Sequence, residues 1–309
     1  MVAAATYKES PTINSTLKIF GSGAATTIID GYRGVDIQDD SAVVTLSSVT
    51  IRNGLGGITN SGTLTLEDSA ISGGTVGGGI ENFGTMTVNR CSIRGNVGAG
   101  IDGYYSAGGG IYNSGVLTIN NSTISENKAF GNYVCGGGIY NTGALTMNNT
   151  TLNRNHASGE SNSVGGGVEN DGGTVLLSNS TLEGNSATIY EYGDGSGGGI
   201  DNGGCVMNRS LRYPSTITLQ NTIVANNAHG GNCSGTMTSL GYNLSSDKTC
   251  NFDGPGDLND TVPKLGKLGN YGGHSRGHLL KTDQRGKPRP GKFKHDKRCD
   301  MGAYERQRD

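Results

Sequence analysis

The sequence predicts an all-β protein, a single-stranded right-handed parallel β-helix of roughly eight to ten coils with an irregular C-terminal cap. Three observations support this fold class. Glycine supplies 55 of the 309 residues without a collagen period. Short stretches such as GTLTLEDSAIS (62–72) alternate polar and apolar residues, as half-buried strands do. The motif GGG(I/V)xN recurs at 77–82, 108–113, 136–141, 165–170 and 197–202.

The apolar residue of each repeat measures the length of a coil. These markers are spaced 22, 31, 28, 29 and 32 residues apart; they are Ile58, Ile80, Ile111, Ile139, Val168 and Ile200. The shortest unit suits one bare coil of a β-helix, which must stack on a neighbour to bury its apolar side chains. Three strand-like pieces follow in each unit, as GGGIYN, GVLTIN and NSTISEN do at 108–127. Because side chains alternate along a strand, the inward set of this coil is Ile111, Asn113, Leu117, Ile119 and Ile124.

Two asparagine series recur at the predicted corners of the coils. Asparagine tolerates left-handed geometry and bonds backbone groups that a bend leaves unpaired, so both series are predicted to be structural ladders. The first series is Asn60, Asn82, Asn113, Asn141, Asn170 and Asn202, and the second is Asn96, Asn127, Asn155, Asn185 and Asn226.

The variable fifth letter of GGG(I/V)xN points outward and is the best candidate for a functional surface. Successive coils place Thr59, Glu81, Tyr112, Tyr140, Glu169 and Asp201 there. The residues two positions earlier are glycines (Gly79, Gly110, Gly138, Gly167 and Gly199), which predicts a bare trough beside the aromatic and acidic side chains. Insertions at 97–107, 128–135, 156–164 and 186–196 all precede a GGG motif, so we expect a wall of loops along one edge.

A trough of this kind suits a polysaccharide, since sugar rings stack on aromatic faces and sugar hydroxyls bond to carboxylates. Glu169 and Asp201 lie one coil apart and are the candidate catalytic pair of a glycoside hydrolase, in retaining or inverting geometry. The alternative is a polysaccharide lyase, in which acidic side chains hold Ca²⁺ and His156 or Arg154 supplies the base. The candidate substrate-binding residues are Glu81, Tyr112, Tyr140, Tyr133 and Tyr192. A purely structural role, with the inserted loops covering these side chains, is the competing interpretation.

The six cysteines show no CxxC motif and no Cys/His spacing suited to zinc. Cys233 and Cys250 bracket one loop-like segment, and we expect a disulfide between them. The remaining cysteines are expected to be small buried residues. Charge is divided unevenly, because residues 264–309 hold 13 Lys and Arg against 5 Asp and Glu. That basic tail is expected to be a solvated cap, to dock on the acidic body, or to meet anionic glycans.

The repeats resemble those of polymorphic outer-membrane proteins and, more closely, those of bacterial secreted right-handed β-helix proteins. The stretches LGYNLSSDKTCNFDGPGDLNDTVPKLGKLGNYGG (240–273), TDQRGKPRP (282–290) and CDMGAYE (299–305) resemble the choice-of-anchor Q domain that ends many such proteins. The resemblance implies a bacterial protein that is secreted or attached to the cell surface. We therefore expect a β-helix over 1–239 and a choice-of-anchor Q-like cap over 240–309.

These features favour a monomer that binds a polysaccharide or cell-surface glycan, with no nucleic acid partner and no transmembrane segment. The stretch MVAAATY lacks a signal-peptide pattern, so we expect such a segment to be absent or removed. A non-catalytic adhesin or spacer is the alternative function. Ice binding is a remote third, because outward threonines recur on the next strand but are interrupted by Val116, Ala144 and Leu176.

Overall fold

The computed structural model is a right-handed parallel β-helix, as the sequence predicts. It describes residues 1–100, 103–190, 193–205, 214–269 and 277–280. Three long parallel sheets run the length of the solenoid, and the chain visits each sheet once per coil. No α-helix occurs in the described residues. Accordingly, none of them forms a helix with the length and hydrophobicity of a membrane span.

Each main sheet is a stack of short strands paired in parallel with the next coil. The first sheet contains Ala5–Tyr7, Thr27–Ile29, Thr50–Arg52, Ala70–Ser72, Ser92–Arg94, Thr123–Ser125, Thr151–Asn153, Thr181–Glu183, Ile223–Ala225 and Leu244–Ser245. The second contains Thr12–Ile13, Val35–Ile37, Ile58–Asn60, Ile80–Asn82, Ile111–Asn113, Ile139–Asn141, Val168–Asn170, Ile200–Asn202 and Cys233–Gly235. The third contains Leu17–Phe20, Val43–Ser47, Thr63–Glu67, Thr85–Asn89, Val116–Asn120, Ala144–Asn148, Thr174–Ser178, Thr216–Gln220 and Thr238–Ser239.

The core is a column of apolar side chains that stack on their equivalents in the adjacent coils. Ile111 pairs in register with Ile80 on one side and Ile139 on the other, and all three are fully buried. The predicted inward set of this coil is buried throughout. Each coil therefore depends on its neighbours for its hydrophobic stabilisation. This dependence explains why the same inward positions carry apolar residues in every coil.

Both asparagine series form buried ladders of hydrogen bonds along the solenoid. In the first, the side-chain amide of each asparagine donates to the side-chain oxygen of the next, at 2.7 Å from Asn113 to Asn141 and 2.8 Å from Asn141 to Asn170. The second ladder follows the same rule from Asn96 to Asn185.

One asparagine of the second series was predicted wrongly. Asn185 donates to Asn227, not to Asn226, and the ladder ends at Asn232. Asn226 instead has a positive φ of 54° at the turn. The spacing itself is unchanged, because Val224 and not Ile223 pairs with Leu182, and Asn227 is the third residue after Val224. Asn226 occupies the positive-φ position that Gly184 has in the preceding coil.

The four insertions are not irregular loops but a fourth, smaller sheet beside the solenoid. Its strands are Val97–Ala99, Tyr105–Ala107, Lys128–Cys135, His156–Val164, Ser186–Ile189 and Gly193–Asp194. Each long strand bends and returns to the body, so that Lys128–Cys135 pairs along both halves with His156–Val164. Since the backbone groups of the insertions pair with each other, the predicted wall is built by hydrogen bonds between coils.

Two disulfides connect segments that are distant in sequence. The predicted pair Cys233–Cys250 is confirmed. Cys135 and Cys205, expected to be unpaired, form a second bridge, which links the end of a fourth-sheet strand to the segment after Ile200–Asn202. Cys91 is a buried free cysteine, as expected.

The regular sheets extend into the segment predicted to be the cap. Leu244–Ser245 is the tenth strand of the first sheet, and Leu258 bridges to Leu244. Beyond it lies an antiparallel pair, Leu265–Gly269 with Gly277–Leu280. Of the basic tail predicted at 264–309, residues 270–276 and 281–309 lie outside the described residues.

Candidate functional site

The outward side chains of the second sheet form one continuous file along the solenoid. Strand register places them in the order Asp36, Thr59, Glu81, Tyr112, Tyr140, Glu169 and Asp201. The predicted adjacency of Tyr112 with Tyr140, and of Glu169 with Asp201, is confirmed. We call this row the acidic–aromatic file.

The fourth sheet covers one half of the acidic–aromatic file. Asp36, Thr59, Glu81, Tyr112 and Tyr140 are half-buried. Farther along, Glu169 is 0% exposed and Asp201 is 2% exposed. Cys135, Val164 and Cys205 pack together at this end. The file is therefore open near the N-terminal coils and closed near the C-terminal coils.

The predicted catalytic pair lies in the closed half. Burial, followed by the charge of Asp201, raises the pKa of Glu169 well above its ordinary value, and neither carboxyl oxygen of Glu169 has a hydrogen-bond partner among the described residues. The charge of Asp171 acts in the same direction. Ser196 Oγ donates to Asp201 Oδ1 at 2.7 Å. The expectation that this pair meets a polymer is not supported, because both side chains are buried.

The glycine track was assigned to the wrong surface. Gly79, Gly110 and Gly138 are buried. A Cβ on Gly110 would lie 2.6 Å from the backbone oxygen of Gly138 and 3.0 Å from the side-chain nitrogen of Asn127. These glycines therefore let one coil approach the next beneath the asparagine ladder, and they do not form the floor of an open trough.

The two candidate bases lie away from the acidic–aromatic file. His156 is in the fourth sheet, where its ring contacts Ser186 Oγ at 2.7 Å and Thr188 Oγ1 at 3.3 Å. Burial, followed by the charge of Lys128, lowers the pKa of His156, so the ring is neutral at neutral pH. Arg154 is exposed at a corner with a φ of 53°. Neither residue is placed beside Glu169 and Asp201 as a lyase would require.

The aromatic candidates form two stacks. Tyr112 lies between Phe83 and Tyr140, with ring centroids 5.8 and 5.5 Å apart. The Tyr140 hydroxyl donates to Asp171 at 3.0 Å, and burial followed by the charge of that carboxylate raises the pKa of Tyr140.

The second stack joins Tyr133 to the start of the fourth sheet. Its ring centroid lies 5.3 Å from that of Tyr104 and 5.5 Å from that of Tyr105, on which it stacks with 29° between the ring planes. Tyr192 lies outside the described residues.

A cleft of about 720 Å³ lies between the open half of the file and the start of the fourth sheet. One side carries Asp36, Thr59 and Glu81, and the other side is formed by 98–100 and Tyr105–Ala107. Gly56 and Gly77 also line the cleft, and because they have no side chains, a ligand in the cleft would contact their backbone directly. Volume and lining are in the range of sites that bind small molecules or parts of a polymer.

Glu81 and Asp36 give the cleft an acidic character. Burial raises the pKa of Glu81, and the nearby charge of Asp36 adds to this, while a hydrogen bond from Thr59 opposes it. Gln38 Nε2 donates to Asp36 Oδ2 at 2.7 Å and orients that carboxylate. Arg33, at the rim, is the one basic side chain among the cleft residues that the structure describes. The sequence identified Glu81 but missed Asp36, because the coil of Asp36 lacks the GGG motif.

The other surfaces offer less chemistry. Within the described part of the chain, no group of three or more His, Cys, Asp or Glu side chains could hold a metal ion. On the third sheet, register aligns Thr45, Thr65, Thr87, Thr118 and Thr146 in one file, which Leu176 then interrupts. The outward threonines therefore do not form an uninterrupted row on this sheet, as the sequence indicated.

Comparison with known proteins assigns no family. The chain matches no protein-family model, and a search of curated proteins finds no significant relative. Functional inference therefore depends on the fold and on the geometry of the cleft.

Proposed function

We propose that this protein is a secreted or cell-surface bacterial β-helix protein that binds a polysaccharide. The polysaccharide lies in the cleft that has Asp36 and Glu81 on one side and Tyr105 on the other. The observation that carries the proposal is the cleft itself, which has carboxylates on one side and an aromatic ring on the other. Sugar hydroxyls donate to carboxylates, and the apolar face of a sugar ring packs on an aromatic ring. Tyr105 is 45% exposed, so its ring is accessible to such a ligand.

The position in the cell is part of the same proposal. Disulfides persist mainly in oxidising compartments, and four of the six cysteines are paired. The resemblance of the repeats to secreted β-helix proteins, and of 240–305 to a choice-of-anchor Q domain, points the same way. The cleft is formed within one chain, so a monomer suffices for binding. A non-catalytic adhesin or spacer would use the same scaffold without needing this cleft.

The proposal predicts that filling the cleft abolishes binding. A Cβ on Gly56 would lie 4.0 Å from the Cα of Gly77, its nearest neighbour, so Gly56→Val adds bulk without a clash at Cβ. We expect Gly56→Val and Tyr105→Ala each to weaken binding about tenfold or more, or about 1.4 kcal/mol. Calorimetric titration with neutral glucans, xylans and mannans, and with uronate polymers, would measure the affinities.

The control is Tyr190→Ala, which removes a tyrosine that is 74% exposed and is not among the cleft residues. It should bind as the wild type does. Wild-type affinity in the Gly56→Val variant, or no binding of any polymer by the wild-type protein, would contradict the proposal.

A further inference from the structure

The two carboxylates of the cleft lie two coils apart on the same file. Asp36 pairs in register with Thr59, and Thr59 pairs with Glu81. Adjacent strands are about 4.8 Å apart, so the two Cα atoms are separated by about 9.6 Å. Inverting glycosidases hold their two carboxyl groups about 6.5–9.5 Å apart, with space for a water molecule, whereas retaining enzymes need about 5–5.5 Å. A spacing of two coils therefore suits inversion, particularly since the longer Glu81 side chain can lean toward Asp36.

The surroundings give the two carboxyl groups different properties. Glu81 is half-buried, and burial raises its pKa, which favours a proton donor. A Cβ on Gly77 would lie 3.2 Å from Glu81 Oε1, so the absence of a side chain there leaves that oxygen accessible. The Asp36 carboxylate is oriented by a hydrogen bond from Gln38, two residues later in the same coil. A fixed orientation suits a base that must point at a water molecule. The pair thus divides into an acid and a base by its environment.

The cleft also indicates the class of substrate. Elimination from a uronate requires a basic side chain to remove a proton and a positive charge to stabilise the carboxylate. Among the described cleft residues only Arg33, at the rim, is basic, while two acids lie two coils apart on the same file. Two carboxyl groups disfavour an anionic sugar and suit the hydroxyls of a neutral one.

We infer that this cleft hydrolyses a neutral glycan with inversion at the anomeric carbon, with Glu81 as general acid and Asp36 as general base. This inference depends on the proposed binding function. Glu81 donates its proton to the glycosidic oxygen as the bond from that oxygen to the anomeric carbon breaks, and the electron pair stays on the oxygen. Water attacks the opposite face of the anomeric carbon and gives a proton to Asp36. Exchange with solvent then reprotonates Glu81 and deprotonates Asp36.

The test compares wild-type protein with Glu81→Gln, Asp36→Asn and Glu160→Gln. Glu160 is an exposed carboxylate of the fourth sheet outside the cleft, so it serves as the matched control. New reducing ends from the neutral polysaccharide that binds best are measured, and the anomer formed first is identified by NMR. We expect Glu81→Gln and Asp36→Asn each to lower the rate about 10²–10⁴-fold, with Glu160→Gln unchanged. The first product should be the inverted anomer, and the rate should fall as pH rises through the raised pKa of Glu81.

Calorimetric binding by the same variants separates the two proposals. Glu81→Gln is nearly isosteric and should keep its affinity within about tenfold, because it retains the hydrogen-bonding shape of the protonated acid. Binding by the wild type without any product overturns hydrolysis and leaves binding intact. A retained anomer, or full activity in either cleft variant, overturns the assignment of acid and base. Absence of binding overturns the proposed function and the inference together.

Discussion

Replacing Glu169 with Gln is expected to remove most of the fall in stability that the protein shows as pH rises. The folded pKa of Glu169 is raised, mainly by burial. In the unfolded chain a glutamic acid titrates near a pKa of about 4.3, so above that pH the folded state binds one proton more than the unfolded state. The contribution of Glu169 to the free energy of unfolding is therefore fully present below about pH 4.3. Above that pH it falls by about 1.4 kcal/mol per pH unit, until Glu169 ionises in the folded state as well.

Gln keeps the volume of Glu169 and cannot ionise, so the variant should be more stable than the wild type at pH 8. Its amide also places an N–H donor beside Asp201, where neither carboxyl oxygen of Glu169 has a hydrogen-bond partner. Thermal unfolding at pH 5 to 8 would measure the slopes. Glu160→Gln, an exposed carboxylate on the same fourth-sheet wall, should leave the wild-type slope unchanged. An unchanged slope in the Glu169→Gln variant would show that this carboxyl is ionised when folded.

Replacing Asn141 with Ala is expected to destabilise the solenoid by about 3–5 kcal/mol. Asn141 is fully buried in the middle of the first ladder. Its amide donates to the Gly143 carbonyl at 3.0 Å and to Asn170 Oδ1 at 2.8 Å, and its oxygen accepts from Asn113 at 2.7 Å. Alanine leaves buried polar groups on both neighbours without these partners, and each costs about 1–3 kcal/mol.

The same coil provides a control for this prediction. Asn148 is exposed and accepts one hydrogen bond from Asn179, at 2.9 Å. Asn148→Ala should cost less than about 1 kcal/mol, because water replaces the missing partner. Chemical denaturation of the two variants would compare them directly. Equal losses would show that the buried ladder contributes no more than a surface asparagine.

The repeat made the fold predictable from the sequence. Inward Ile111, Leu117 and Ile119 follow from strand alternation, and their equivalents follow from the spacing of the motif. Asn113 and Asn141 were predicted to be ladder residues because asparagine recurs at the same corner in every coil. The prediction fails where two apolar residues are adjacent, because Asn226 was counted from Ile223 although Val224 is the equivalent of Leu182, which places the ladder at Asn227.

A further set of corner asparagines, between the third and first sheets, was missed. Asn121, Asn149, Asn179 and Asn221 share positive φ values of 50–52°. They are joined in two pairs, because Asn149 donates to Asn121 at 2.7 Å and Asn221 donates to Asn179 at 2.6 Å, whereas Asn179 donates to Asn148. These asparagines are visible in the stretches NNST, NNTT, SNST and QNTI. Their role is detectable in the sequence, since a corner residue with positive φ favours asparagine.

The candidate site was only partly predictable. Strand alternation identified Glu81 as outward-facing and placed Glu169 next to Asp201, and both inferences hold. Alternation gives a side of the sheet but does not say what lies over that side. The insertions decide which outward side chains are accessible, because they pair into a fourth sheet beside the file. Glu169 and Asp201 are buried, whereas Glu81 and Asp36 line a cleft.

The sequence by itself determined the coil, its core, two of its ladders and the order of side chains along the acidic–aromatic file. These properties repeat with every coil and depend on contacts between equivalent residues, so periodicity reveals them. Only the tertiary structure decided which members of the file are accessible, which cysteine pairs with Cys135, and where the cleft lies. Those features arise where non-repeating insertions fold back on the solenoid, and their contacts join residues up to 70 positions apart that no local pattern relates.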